Sequence, residues 1–241
     1  MKKNNLAEDA IQTNNILLPG GNKQLEHLLK QNISKGVQSL IIGPNCESIA
    51  TRLVEYFTSL YIIANDYNPV MQTRSKLKGE DKIKVKMMDY SHTDFEDGYF
   101  DLIYAQASIS VTNKKEILKE IKRILSGNGL LCTGEIVSLK EPVPEFVNDI
   151  WERSGLEPIA SSLIKDYFEG NGFDLLSEKD LSFTLKDFYE KIRYAVSKAS
   201  KDEKGQDKKY FSRMKHESNA YLKLGGDKYI GFKSLIMRKS N

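Results

Sequence analysis

Short apolar runs that do not alternate with polar residues constrain the fold of this chain more than any other feature. Four of them lie at residues 37–42, 60–64, 100–105 and 130–137, and residues 83–88 predict a further strand. A strand that is apolar on both faces has to be covered on both faces, as in a parallel sheet. Helical periodicity is found at 22–32, 49–57, 69–78 and 113–125. This alternation of strands and helices predicts an α/β fold.

The second half of the chain continues with helices and two further strands. We predict helices at 146–153, 161–171 and 184–199, strands at 173–183 and 229–238, and a charged loop at 200–209. We expect the last strand at the sheet edge or beside the fifth strand. The predicted architecture is one α/β domain over 1–241 with a seven-stranded, mostly parallel, doubly wound sheet, helices on both faces and an antiparallel last strand. It comprises a core at 1–140, opened by an N-terminal arm at 1–20, and a second part at 141–241.

Composition excludes several classes of protein. Lys and Arg number 36 against 33 Asp and Glu, a net charge of +3, so no nucleic-acid partner is expected and an RNA-modifying enzyme is disfavoured. Two cysteines, Cys46 and Cys132, are too few for a disulfide framework, which favours a cytoplasmic protein. The apolar run at 16–18 is too short for a signal peptide or a membrane span. The three histidines lack metal-ligand spacing, so no metal is predicted, and no feature fixes an oligomeric state.

The residues that follow each strand are the candidates for a binding site. In an open parallel sheet, ligands bind beyond the carboxyl ends of the strands, where the strand order reverses. These positions are occupied by residues 43–48, 66–68, 89–90 and 106–108.

Two aspartates in this set have both a binding and a structural interpretation. Asp66 lies 23 residues after Gly43, near the spacing at which an acid reaches the ribose of an adenosine ligand. It could equally cap the helix that opens near Pro69. Asp89 could accept a hydrogen bond from an adenine amino group or form a turn with Ser91. The spacing alone leaves both pairs of alternatives open.

Several runs resemble motifs of class I (Rossmann-like) S-adenosylmethionine-dependent methyltransferases. The stretch at 62–71 contains an acid followed by Asn-Pro and Met, as after the second strand of that family. Similar motifs, in the family's order, lie at 18–21, 89–90, 95–103 and 120–129. The resemblance covers residues 17–137 and implies S-adenosyl-L-methionine as cofactor, with 1–140 as the cofactor-binding core and 141–241 on the substrate side.

The glycine loop after the first strand departs from the family pattern. An acid and three glycines are usual there, whereas this chain has Ile41, Gly43, Asn45 and Glu47. Asn is the residue that best replaces glycine at positive φ. Glu47 either pairs with the ammonium group of the cofactor or stabilises the start of its helix through the dipole; a pocket that no longer binds the cofactor tightly is the third alternative. The same Glu47 would repel the pyrophosphate of a dinucleotide.

The resemblance implies a set of cofactor-binding residues and an activity. The predicted site consists of Gly43, Pro44, Asn45, Glu47, Asp66, Tyr67, Asp89, Tyr90 and Gln106. In it, Asp66 holds the ribose, Asp89 with Tyr90 holds the adenine, and Gln106 forms the pocket floor near the transferred methyl. The predicted function is methyl transfer to a small molecule, with no catalytic residue assigned. The alternative is a non-catalytic member of the fold that binds a ligand or partner. Aromatic residues concentrated after position 150 suggest a cap over the pocket.

Overall fold

One sheet of eight strands organises the chain in the computed structural model, which describes residues 16–31, 33, 36–199 and 206–240. The strands are β1 (Gly36–Ile42), β2 (Phe57–Ala64), β3 (Ile83–Met87), β4 (Phe100–Gln106), β5 (Leu125–Ser138), β6 (Ile159–Ala160), β7 (Phe173–Asp180) and β8 (Ile230–Lys239). Their order is β3-β2-β1-β4-β5-β8-β7, and the two-residue β6 pairs with β5. β8 runs antiparallel to both of its neighbours, β5 and β7, and the remaining pairs of strands are parallel. The edges of the sheet are therefore β3 and β7.

Helices cover both faces of this sheet. They are α1 (Gly21–Leu29), α2 (Glu47–Leu53), α3 (Tyr67–Lys76), α4 (Lys114–Ile124), α5 (Glu145–Arg153), α6 (Ile164–Gly170), α7 (Thr184–Ala199) and α8 (Gln206–Lys223). Apolar residues of α4 and α6, such as Ile117 and Phe168, pack on one face. Those of α1 and α2, such as Leu25 and Ile49, pack on the other. The predicted doubly wound α/β sheet is confirmed, as is the antiparallel last strand.

The element order agrees with the sequence prediction as far as α7, except that β6 was not predicted and makes the sheet eight-stranded rather than seven-stranded; the helix α8 was also not predicted. The last strand lies beside the fifth strand, one of its two predicted positions. Residues 126–129, predicted as the turn after α4, belong to the irregular start of β5. Of the loop predicted at 200–209, residues 200–205 lie outside the described part, as do residues 1–15 of the predicted arm, whereas residue 206 begins α8. The prediction of a loop is wrong at this end, because charged residues are also good helix formers.

A third apolar cluster joins α5, α7 and α8 to β8. Trp151, Tyr189 and Tyr221 are buried in it, and the rings of Tyr189 and Tyr221 stack with centroids 4.4 Å apart. Phe168, one of the aromatic residues expected in a cap, instead packs beneath the sheet. We call α5, α7 and α8 the cap. No helix in the described part of the chain is long and apolar enough to cross a membrane.

Replacement of Gly134 tests how closely α1 lies on β5. A β-carbon at Gly134 would come within 1.8 Å of the Gln24 side-chain oxygen and 2.4 Å of the Phe232 ring. Gln24 is buried and donates to the carbonyl of Ala105, so it cannot move away freely. We expect Gly134→Ala to lower the free energy of unfolding by about 1 to 3 kcal/mol through overpacking. Urea denaturation measures this change.

Gly127→Ala is the matched control, because the same strand carries it and a β-carbon added there would meet nothing within 4 Å. It should change the free energy of unfolding by less than about 0.5 kcal/mol. Equal losses in the two variants would contradict the close packing of α1.

Candidate functional site

A cavity of about 430 Å³ opens at the carboxyl ends of β2, β3 and β4. It is lined by Asn65, Asp89, Tyr90, Ser108, Val111, Thr112, Asn113, Ile117 and Gly155. This volume is in the range of small-molecule sites. Two predicted site residues, Asp89 and Tyr90, are among the lining residues. The cavity therefore lies where the strand order of the sheet predicts a ligand site.

The loop after β1 keeps a glycine-like backbone despite its missing glycines. Gly43 has φ +118°, and a β-carbon there would come within 2.2 Å of the Ser108 hydroxyl oxygen. Its N–H donates to the carbonyl of Ile63 at 3.0 Å, which fixes the loop against β2. Asn45 has φ +59°, in the left-handed region that Asn tolerates best after Gly. Asn45 thus preserves a conformation for which glycine is the usual residue.

Glu47 is engaged away from the cavity lining. Its carboxylate accepts a hydrogen bond from Thr73 at 3.0 Å and pairs with Lys76 at 3.2 Å, both on α3. The Glu47 side chain is only 12% exposed. These contacts bind the start of α2 to α3, which favours the structural interpretation of Glu47 over pairing with a cofactor ammonium group.

Asp66 and Tyr67 stand at the exposed start of α3. Asp66 occupies the position that precedes the helix, yet its side chain makes no capping hydrogen bond. The capping alternative for Asp66 is therefore not the arrangement observed. Its exposed carboxylate can still accept hydrogen bonds from a ligand such as a ribose diol. Tyr67 is 65% exposed.

Asp89 forms the turn that was its alternative interpretation. Its Oδ1 accepts hydrogen bonds from the backbone N–H and the hydroxyl of Ser91, at 2.8 and 2.7 Å. These bonds hold the pKa of Asp89 below its usual range, so the carboxylate is ionised at neutral pH. Because both bonds end on Oδ1, the turn and acceptance from a ligand amino group are compatible.

Tyr90 supplies an apolar wall to the cavity. It is 9% exposed, and burial raises the pKa of its hydroxyl well above the usual range. The phenol is therefore neutral under ordinary conditions. Together with Val111 and Ile117, Tyr90 makes one part of the lining apolar.

Gln106 holds the segment that precedes α1 rather than contributing to the cavity lining. Its amide N–H groups donate to the carbonyls of Pro19 and Gly21, at 2.7 and 3.0 Å. Its carbonyl accepts from the Tyr104 hydroxyl at 2.6 Å. With these bonds the side chain is buried and satisfied, which disfavours but does not test the predicted role of Gln106 as a pocket floor.

Several lining residues were missed because no sequence pattern places them. Val111, Thr112 and Asn113 lie in the loop between β4 and α4, whose path cannot be read from spacing. Gly155 follows α5 in the second half of the chain. A hydrogen bond from the Glu157 N–H to the Ser110 carbonyl, at 2.9 Å, brings this turn to the loop.

Residues 40–133 match the family model described as a methyltransferase domain. A curated relative, an uncharacterized protein of Haemophilus influenzae, is 24% identical over 162 residues. The match covers 64% of this chain, and the chain spans 64% of the length of that relative.

Solved structures with the same fold include several methyltransferases. One, from Galdieria sulphuraria and provisionally described as a sarcosine dimethylglycine methyltransferase, has a TM-score of 0.76 and 16% identity over 99% of this chain and 89% of its own. Phosphoethanolamine N-methyltransferase 2 of Haemonchus contortus, in complex with phosphomonomethylethanolamine and S-adenosylhomocysteine, has a TM-score of 0.75 and 14% identity, over 93% and 54%. Geranyl diphosphate C-methyltransferase of Streptomyces coelicolor has a TM-score of 0.66 and 12% identity, over 90% and 77%.

The contact between Gly43 and Ser108 yields a prediction on stability. We expect Gly43→Ala to lower the free energy of unfolding through both an unfavourable φ and a clash with Ser108. Gly79→Ala is the matched control, since Gly79 has φ +98° but a β-carbon added there would meet nothing within 4 Å. Backbone strain alone should cost Gly79→Ala about 1 kcal/mol. Gly43→Ala should lose about 1 to 3 kcal/mol more.

Urea denaturation of the two variants measures the difference. A loss for Gly43→Ala no larger than that for Gly79→Ala would show that the loop after β1 does not depend on its approach to Ser108.

Proposed function

We propose that the protein, whose residues 40–133 match the model of a methyltransferase domain, binds S-adenosyl-L-methionine and transfers its methyl group to a small molecule. The observation that carries this proposal is the cavity of about 430 Å³, bordered by Asp89 and Tyr90, at the carboxyl ends of the strands. Asp66 stands at the end of the neighbouring strand with a carboxylate that does not cap its helix.

The residues at the carboxyl ends of these strands suit the parts of an adenosine ligand. An adenine ring needs apolar walls and an acceptor for its amino group, which Tyr90, Val111, Ile117 and the ionised Asp89 supply. Asp66 would accept hydrogen bonds from the ribose hydroxyls. The backbone of the loop at 43–45 would lie beside the methionine part.

The proposed reaction asks little acid–base chemistry of the protein. The sulfonium of S-adenosylmethionine supplies an already activated methyl group. The chain's own residues have to orient the acceptor in line with that methyl and exclude water. Gly155, which follows cap helix α5, already lines the cavity, and this contact supports a substrate-side role for residues 141–241. The small acceptors bound to two of the related structures support an acceptor of the same size class.

A non-catalytic, ligand-binding member of the fold is the second candidate. Glu47 is bonded to Thr73 and Lys76, and Gln106 to residues 19 and 21, so two of the predicted cofactor contacts are used within the protein. A [4+2]-cyclase also has this fold, with a TM-score of 0.71 and 18% identity. The fold is thus compatible with other activities.

Calorimetric titration with S-adenosylhomocysteine and S-adenosylmethionine tests the proposal. We expect micromolar binding to the full chain, and a loss of affinity of about 10-fold to 100-fold in Asp66→Asn. The loss corresponds to hydrogen bonds to a charged acceptor, each of which contributes about 1.5 to 3 kcal/mol. Asp81→Asn is the matched control, because Asp81 is an exposed carboxylate at the amino end of β3, whereas the cavity opens at the carboxyl ends of the strands; this variant should bind as the wild type does.

Absence of binding by the wild type at millimolar ligand would refute the proposal and favour the non-catalytic candidate. Binding without methyl transfer to any acceptor of a small-molecule panel would separate ligand binding from catalysis. Equal affinities of Asp66→Asn and Asp81→Asn would remove Asp66 from the site.

A further inference from the structure

A buried carboxyl group, Glu135, lies next to the cavity lining without belonging to it. Glu135 is on β5, one residue beyond the last pair between β4 and β5, and is 3% exposed. Its two oxygens accept hydrogen bonds from the hydroxyls of Ser110 and Thr133. Burial of a carboxyl is costly unless its oxygens are satisfied, and neither the proposed cofactor contacts nor the packing of the sheet requires one here.

Ser110 connects Glu135 to the walls of the cavity. Its hydroxyl oxygen accepts the N–H of Ile136 at 3.2 Å while donating to Glu135, which ties the β4–α4 loop to β5. Its carbonyl accepts the N–H of Glu157 at 2.9 Å. An isolated bridge between Val111 and Leu156 adds to this attachment.

The two segments joined at Ser110 contribute most of the cavity lining. Ser108, Val111, Thr112 and Asn113 come from the loop, and Gly155 comes from the turn after α5. We propose that Glu135 is a positioning residue for this cavity: its carboxylate holds Ser110, and through Ser110 it holds the loop and the turn in the arrangement that accepts the cofactor. This inference rests on the proposed function.

The charge state of Glu135 determines how strongly it holds Ser110. Burial raises the pKa of Glu135 from an ordinary 4.5 to about 7, against the opposing effects of its two hydrogen bonds and of Lys114. Because the bonds from Ser110 and Thr133 favour the ionised form, ionisation in turn strengthens those bonds. A protonated Glu135 would also need an acceptor for its own O–H. The hold on Ser110 should therefore weaken as the pH falls through about 7.

The free energy of unfolding also depends on the ionisation of Glu135, but it changes with pH in the opposite direction to binding. A carboxyl whose pKa is higher in the folded than in the unfolded state stabilises the fold most below pH 4.5, and this contribution is lost as the pH rises to about 7. Tighter binding and lower stability at the higher pH would therefore both be traced to Glu135. A purely structural role predicts no change in binding.

Other charged groups face this region from the surrounding elements. Lys114 of α4 binds the carboxylate and carbonyl of Glu157. Burial raises the pKa of Tyr167 on α6. The negative charges of Glu157, Glu116 and Glu135 raise it further. Lys233 lies opposite Glu135 on β8 but pairs with Glu178 at 2.5 Å. His92 is bonded to Ser91, which donates to Asp89 of the cavity lining, so His92→Gln serves as a control.

The experiment compares wild type, Glu135→Gln, Ser110→Ala and His92→Gln by titration with S-adenosylhomocysteine at pH 6 and pH 8. The wild type should bind about fivefold more tightly at pH 8 than at pH 6, which is the difference expected when binding lowers the pKa of Glu135 by about one unit. The same difference should persist in His92→Gln. It should disappear in Glu135→Gln and in Ser110→Ala.

Two further measurements do not require a ligand. The thermal unfolding midpoint should fall less between pH 5 and pH 8 in Glu135→Gln than in the wild type, since the variant has no carboxyl to ionise. Amide hydrogen exchange of residues 107–113 and 155–157, corrected for intrinsic rates, should be faster in Glu135→Gln than in the wild type at pH 8.

Each failure has a distinct signature. If S-adenosylhomocysteine binds with the same pH dependence in the wild type and Glu135→Gln, the positioning role is overturned and the proposed function stands. If nothing binds at either pH, the proposed function fails, and unchanged exchange in Glu135→Gln would then overturn the role of Glu135 in holding the loop.

Discussion

Burial of the central strands on both faces is the constraint from which the site follows. On β1, Leu40 and Ile42 pack beneath α4, and Ile41 between them packs beneath α1 and α2. A strand of this kind has no solvent-exposed face on which to carry polar groups that can meet a ligand. Its polar chemistry is displaced to the residues beyond its carboxyl end, where the cavity opens.

The site is accordingly made of turns whose backbone is dictated by close approach. Gly43 has no room for a β-carbon beside Ser108. Asn45 and Ala107 adopt positive φ angles, +59° and +55°, at the ends of adjacent parallel strands. Of these two residues, only Asn45 has a side chain suited to positive φ. Ala107 is held in this conformation by a hydrogen bond from its N–H to the Gly134 carbonyl at 2.8 Å. Backbone conformation rather than side-chain identity thus shapes this end of the sheet.

The sequence predicted the sheet well because burial leaves a local pattern, and it predicted the site unevenly because side-chain partners are not local. Asp89 and Tyr90 follow a strand directly and line the cavity. Gln106 also follows a strand, but residues 19 and 21, far away in sequence, occupy its amide. Glu47 is drawn to Lys76 by charge, and Glu135 was hidden within an apolar strand. Spacing cannot reveal such partners, because they depend on which elements meet in three dimensions.

The two outermost strands of the sheet affect how the protein behaves among copies of itself. An unprotected strand edge invites pairing with another chain and growth into aggregates. Here β3 carries Lys84 and Lys86, and β7 ends in Glu178, Lys179 and Asp180. Adding a strand at either edge would place these charges against another backbone. The charges therefore oppose aggregation at the edges, even though the centre of the sheet is largely apolar.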